Sequence, residues 1–179
     1  MSMLKRFLGL NGELQPDDGG VGDSASVRRI SAELARMPAD QARYLAAFAY
    51  VLARVAHADL RLEDAELEAM REIVGGLGDL AEDHAALVCA IACDQSARLG
   101  GTENYVVTRE FRRIASPVQR AQLLECLFAV AASDGEISVS ESNEVLAIAE
   151  ELGFTRPQAL GVRAQYRDHL AELRTKKPN

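Results

Sequence analysis

The chain has 179 residues and a formal net charge of −7, with 48% hydrophobic residues, 5% aromatics and no tryptophan. That length fits one domain or two small halves sharing a core, and the acidic balance excludes the basic footprint of a nucleic-acid binder, leaving cations or basic partners as the natural ligands. Three cysteines do not make a disulfide framework and point to a reducing, cytoplasmic setting, and no apolar run approaches a membrane-spanning length.

Residues 1–10 carry Lys5 and Arg6 beside an apolar stretch too short for a secretory signal. This segment could make weak peripheral contact with a membrane as a basic amphipathic turn. A terminus that frays or docks on the fold is the plainer reading. Asn11–Asp23 is rich in Gly, Asp and Pro, so residues 1–23 read as a flexible segment and linker. One helical domain is expected over residues 24–175.

From Ser24 onward apolar residues recur at helical spacing. Helices are predicted over 24–37, 39–57, 63–75, 80–99, 103–115, 117–132, 138–152 and 156–173. Capping chemistry marks several starts: Asp79-Leu80-Ala81-Glu82, Ser116 before Pro117, Ser138-Val139-Ser140-Glu141, and Thr155-Arg156-Pro157-Gln158. Gly75-Gly76, Gly100-Gly101 and Gly153 suit helix ends. Tyr105-Val106-Val107-Thr108 is β-prone, but its charged helical surroundings assign it to a helix. The expected class is therefore all-α: a compact bundle of about seven to eight helices.

Two segments align without gaps at an offset of 75 residues, as from Asp59 to Asp134. Val55-Ala56-His57-Ala58-Asp59-Leu60-Arg61-Leu62 matches Val130-Ala131-Ala132-Ser133-Asp134-Gly135-Glu136-Ile137, and the match continues to Glu66 with Glu141 and Gly78 with Gly153. Each unit is an apolar helix, a tight loop and an amphipathic helix. The repeats centre on 47–78 and 122–153 and predict two helix–loop–helix units related by a pseudo-twofold. Leu62 and Ile137, aliphatic in polar loops, are expected to be buried as plugs.

The candidate site is Asp59, Glu66, Asp134 and Glu141. Each Asp follows the C-terminal end of a helix, where negative charge costs about 0.3–1 kcal/mol. A bound cation, the amides opening the next helix or a nearby Arg would compensate. The stretch Asp134 to Glu141 reads like the last eight positions of an EF-hand loop, but the two preceding ligand positions are Val130 and Ala132. A full EF-hand is excluded, and Leu60 stands where the second loop has Gly135. Helix capping also explains these residues: Glu141 fits a box with Ser138, Glu66 fits the same role one repeat earlier, and Asp134-Gly135 suits a helix stop.

Cys89 and Cys93 lie four apart on one helix, but no second Cys or His pair completes a metal set, so they read as small buried hydrophobes. His57, His84 and His169 are isolated. No Gly-rich phosphate loop, G-x-S-x-G or H-E-x-x-H occurs. Nothing nominates a nucleophile or a general base.

The paired motifs Ala58-Asp59…Leu62…Glu66 and Ser133-Asp134-Gly135-Glu136-Ile137…Glu141 resemble the doubled A-D-G-x-I/L-x-x-x-E signature of TerB-like proteins, associated with bacterial tellurite resistance and stress response. Met3-Leu4-Lys5-Arg6-Phe7-Leu8 and Phe111…Leu123-Leu124-Glu125 are similar to stand-alone members. The resemblance implies a helical bundle with an acidic cluster for divalent metal or partners, here Asp59, Glu66, Asp134 and Glu141. Calcium, magnesium or manganese suits such oxygen ligands. The favoured expectation is a non-enzymatic stress-response protein that binds a divalent cation. The alternatives are a metal-independent interaction or co-chaperone-like scaffold and a carboxylate-dependent hydrolase. The sequence neither names a protein partner nor sets an oligomeric state.

Overall fold

Helices form almost segment by segment where the apolar spacing places them in the computed structural model, which describes residues 25–55, 64–96 and 103–174. In chain order they are α1 (Ala25–Ala35), α2 (Ala39–Ala53), α3 (Asp64–Leu77), α4 (Glu82–Ser96), α5 (Glu103–Ile114), α6 (Pro117–Ala131), α7 (Val139–Glu151) and α8 (Arg156–Gln165). A 3₁₀ turn, Arg167–His169, and the short α9 (Ala171–Arg174) follow. The β-prone stretch at Tyr105–Thr108 lies inside α5.

The centre of the fold is α2. Every residue from Leu45 to Ala53 is buried, the mark of a helix surrounded on all sides. It packs against α1, α4, α5 and α6. Its small alanines admit close neighbours, while Phe48 meets Phe111 edge-on at 6.0 Å. Around it, α3 packs on α4 and α6, and α7 packs on α5, α6 and α8.

The duplication shows in burial. Met70 and Val145, and likewise Val74 and Ala149, are matched at the offset of 75 and all buried. Both amphipathic helices end in the same turn: Leu80 N–H bonds back to Gly75 O at 3.2 Å, and Phe154 N–H to Ala149 O at 3.0 Å. The left-handed residue is Asp79 (φ 53°) in the first repeat and Gly153 (φ 92°) in the second, so the turn comes one residue later in the first repeat than the expected match of Gly78 with Gly153 places it.

That turn corrects two expectations. Gly75-Gly76 does not stop α3, which runs on to Leu77. Gly78 is required for another reason, since a Cβ there would lie 2.3 Å from Val74 O and 3.2 Å from Phe48 Cζ. Asp79 does not open a capping box. It occupies the left-handed position that ends α3, so α4 starts at Glu82, and Asp83 Oδ1 accepts from His84 N–H at 2.9 Å. Gly100 and Gly101 lie outside the described residues.

The last predicted helix, 156–173, is broken. α8 stops at Gln165, and Leu170 is extended (φ −71°, ψ 117°). Leu170 pairs with Ile137 across the second loop: Ile137 N–H donates to His169 O at 2.7 Å, and Ala171 N–H donates to Ile137 O at 3.0 Å. Both of Ile137's main-chain groups are buried in a loop with no helix to satisfy them, and an extended partner does so where a continuous helix would not. The Ile137 plug is 1% exposed, as expected. Its counterpart Leu62 lies outside the described residues.

Candidate functional site

The second loop is held by its own side chains. After α6, Gly135 (φ 96°) turns the chain and its N–H bonds Ala132 O at 2.9 Å. Asp134 Oδ1 accepts from Glu136 N–H at 3.0 Å. Ser138 then opens α7: Glu141 N–H donates to Ser138 Oγ at 3.2 Å, and Ser138 N–H donates to Glu141 Oε2 at 2.8 Å. Ser116 with Gln119 forms the same box at α6, and Gln158 Oε1 accepts from Thr155 N–H at 2.8 Å at α8.

Of the four expected site residues, Asp134 and Glu141 share this loop. Asp134 is exposed, and Glu141 is only 8% exposed. Glu66 is exposed in the first turn of α3. Asp59 lies outside the described residues. Among the described residues, no three His, Cys, Asp or Glu side chains converge as a metal-ligand set. A cation site here therefore needs Asp59 and its loop to complete it.

One residue that sequence reasoning missed bears on that question. Arg54 caps the C-terminal end of α2, immediately before the first loop, and its side chain is 5% exposed. Its Nε donates to Glu144 Oε1 at 2.9 Å, and its Nη1 donates to Glu151 Oε2 at 2.6 Å and to Thr108 Oγ1 at 2.7 Å. The fully buried Thr108 hydroxyl in turn donates to Asn104 O at 3.0 Å. Burial works against the guanidinium charge, but the hydrogen bonds to Glu151 and Glu144 outweigh it and hold the pKa above its ordinary value. The negative end of α2 adds to this.

Glu144 lies one turn along α7 from Glu141. Arg54 thus fixes the departure point of the first loop against the helix that the second loop opens. The lock is one-sided, since the matched positions in the other halves of the repeats are Ala129, Ala69 and Gly76. An arginine closing the apolar run Tyr50-Val51-Leu52-Ala53 was the available signal.

The cysteines are free thiols: Cys89 and Cys126 are buried and Cys93 partly so. Burial, then the neighbouring Cys93, pushes Cys89 up to about 12, and burial, then Glu125, does the same to Cys126. Cys89 packs as the small buried hydrophobe read from sequence, while Cys93, read the same way, is only partly buried. No helix among the described residues is long and apolar enough to cross a membrane.

A family model described as tellurite resistance protein TerB matches residues 44–164, from within α2 to within α8. No match was found among curated proteins or among solved structures.

Proposed function

The chain belongs to the TerB family, and on that premise we propose that it is a non-enzymatic, tellurite-resistance-associated stress-response protein whose two loops bind a divalent cation. The ligands in this reading are Asp59, Glu66, Asp134 and Glu141. The observation that carries it is the Arg54–Glu144 contact, which ties the start of the first loop to α7 one turn from Glu141. Asp134 and Glu141 each give one oxygen to a main-chain amide, and such bonds orient a carboxylate for its remaining lone pairs. Hard oxygen ligands favour calcium, magnesium or manganese over thiol-seeking metals. Three cysteines that form no disulfide suit the cytoplasm.

A second reading has its own support. The carboxylates of Asp134 and Glu141 already cap the loop and α7, a complete structural role without metal. In that reading the protein is a metal-independent interaction or co-chaperone-like scaffold. Calorimetric titration of the apo protein with manganese, beside a variant carrying Asp134→Asn and Glu141→Gln, separates the two. Saturable heat in the wild type that is lost in the variant supports the cation. No saturable heat in either protein supports the scaffold, and equal saturable heat in both places the cation at other residues.

A further inference from the structure

We propose that the outward face of α5 is a docking surface for an acidic segment of a partner protein, held by Arg109 and Arg112. Tyr105, Arg109 and Arg112 recur at spacings of four and three, so they form one stripe of the helix, while Val107, Thr108 and Phe111 face the core. The Arg109 guanidinium sits 5.4 Å from the centre of the Tyr105 ring. Tyr105 and the adjacent Val106 are 51% and 44% exposed, an apolar element beside the charges.

The carboxylates that could neutralise this stripe are engaged elsewhere. Glu151 binds Arg54 at 2.6 Å, Glu150 binds Arg156 at 3.0 Å, and Glu110 binds Arg113 at 2.7 Å. Among the described residues, neither Arg109 nor Arg112 has a carboxylate within 4.0 Å. Arg112 lies close against the end of α7, where a Cβ at Gly153 would come within 2.8 Å of its guanidinium, so the missing side chain makes room for the cation.

Tyr105, Arg109 and Arg112 line two depressions, one of about 390 Å³ with Ala147, Glu150 and Glu151 of α7 and one of about 610 Å³ with Val106, Glu110 and Arg113, and each of these glutamates is paired to another arginine. The two depressions flank one stripe, which from Tyr105 to Arg112 runs about 10 Å along the helix, the length of about three residues of extended chain. Enclosed pockets suit small ligands because they bury most of the ligand surface. An open stripe with two cations flanking exposed Tyr105 and Val106 suits instead a peptide that alternates acidic and apolar side chains. In a molecule of net charge −7, an acidic partner is repelled from most of the surface and steered to this face.

The test uses the full chain and a fluorescein-labelled peptide of alternating glutamate and leucine, about eight residues long so as to overrun the stripe, read by fluorescence anisotropy at low salt. The wild type is expected to bind it. Affinity should fall at least about tenfold in an Arg109→Ala/Arg112→Ala variant and further in Arg109→Glu/Arg112→Glu, with circular dichroism unchanged. Arg29→Glu, on an exposed side chain of α1, should bind as the wild type does. The proposal is overturned by no wild-type binding up to about millimolar peptide, or by equal binding in the double variants. Full displacement by inorganic phosphate, or equal binding of a single-stranded oligonucleotide through the same arginines, also overturns it by showing a general anion patch.

Discussion

Arg54 and Glu151 are joined by two hydrogen bonds between the end of α2 and the last turn of α7, Nη1 to Oε2 at 2.6 Å and Nη2 to Oε1 at 3.3 Å. With Glu144 on the same guanidinium, this lock replaces the small residues found at the matched positions of the repeat. Arg54→Ala leaves Glu151, 18% exposed, without its counter-ion and should destabilise the fold by about 2–4 kcal/mol. Glu144 is 38% exposed, so Glu144→Gln should cost no more than about 1 kcal/mol. Urea midpoints of the two variants check this order.

Ile137 and Leu170, each 1% exposed, plug the second loop from both sides. Ile137→Ala should cost about 2–5 kcal/mol, the range for a buried aliphatic, and so should Leu170→Ala. Because the two share one bridge, the double variant should lose less than the two single losses combined. Additive urea midpoints would show that the loop and the C-terminal segment are independent.

Stability should fall at alkaline pH. Cys89 and Cys126 rise from 9.0 to about 12 on folding, chiefly by burial, and Tyr44 rises from 10.0 to about 12. Below pH 9 these groups keep their protons in both states and contribute no slope. Between about 9 and 12 the unfolded chain releases protons that the folded chain retains, so stability declines as pH rises. The urea midpoint should be lower at about pH 10.5 than at about pH 8. Cys89→Ala/Cys126→Ala should flatten that decline, and an unchanged slope would mean that the thiols titrate normally in the fold.

Much of this fold is legible in the sequence because its helix starts are chemically explicit. Ser116 caps α6 ahead of Pro117 and Ser138…Glu141 forms the box its spacing predicts. The misreadings share a cause, which is that tertiary contacts override local signals. Gly75-Gly76 reads as a stop, yet Leu77 still has a turn to complete before the close approach at Gly78. The periodicity after Gln165 reads as helix, yet the unsatisfied main chain of Ile137 pulls Leu170 into an extended bridge. The apolar run before Arg54 marks it as unusual, but its partners lie 90 and 97 residues away and no local pattern names them. At the candidate site, the local roles of Asp134 and Glu141 are legible. The relation between the two loops is not, since it depends on how α2 meets α7.

Ser138 and Glu141 have separable roles. Ser138→Ala removes the acceptor for Glu141 N–H and should cost about 0.5–2 kcal/mol. Glu141→Gln keeps a side-chain oxygen for Ser138 N–H and loses the charge near the helix N-terminus, about 0.3–1 kcal/mol. Thermal unfolding of the two variants should rank them in that order. The reverse order would mean that the charge of Glu141, rather than the box, holds the turn.

That separation makes the cation reading testable without disturbing the loop, since Asn at position 134 also keeps an oxygen for Glu136 N–H. The most direct measurement is thermal unfolding of the wild type and of the Asp134→Asn/Glu141→Gln variant, each with calcium, magnesium and manganese in turn. An ion that binds only the folded chain stabilises it by about 2.7 kcal/mol at one hundred times its dissociation constant. At about 2–4 °C per kcal/mol for a chain of this size, the account predicts a rise of about 5–10 °C in the wild type and none in the variant. No rise with any of the three ions up to about millimolar concentration, or an equal rise in both proteins, would contradict it.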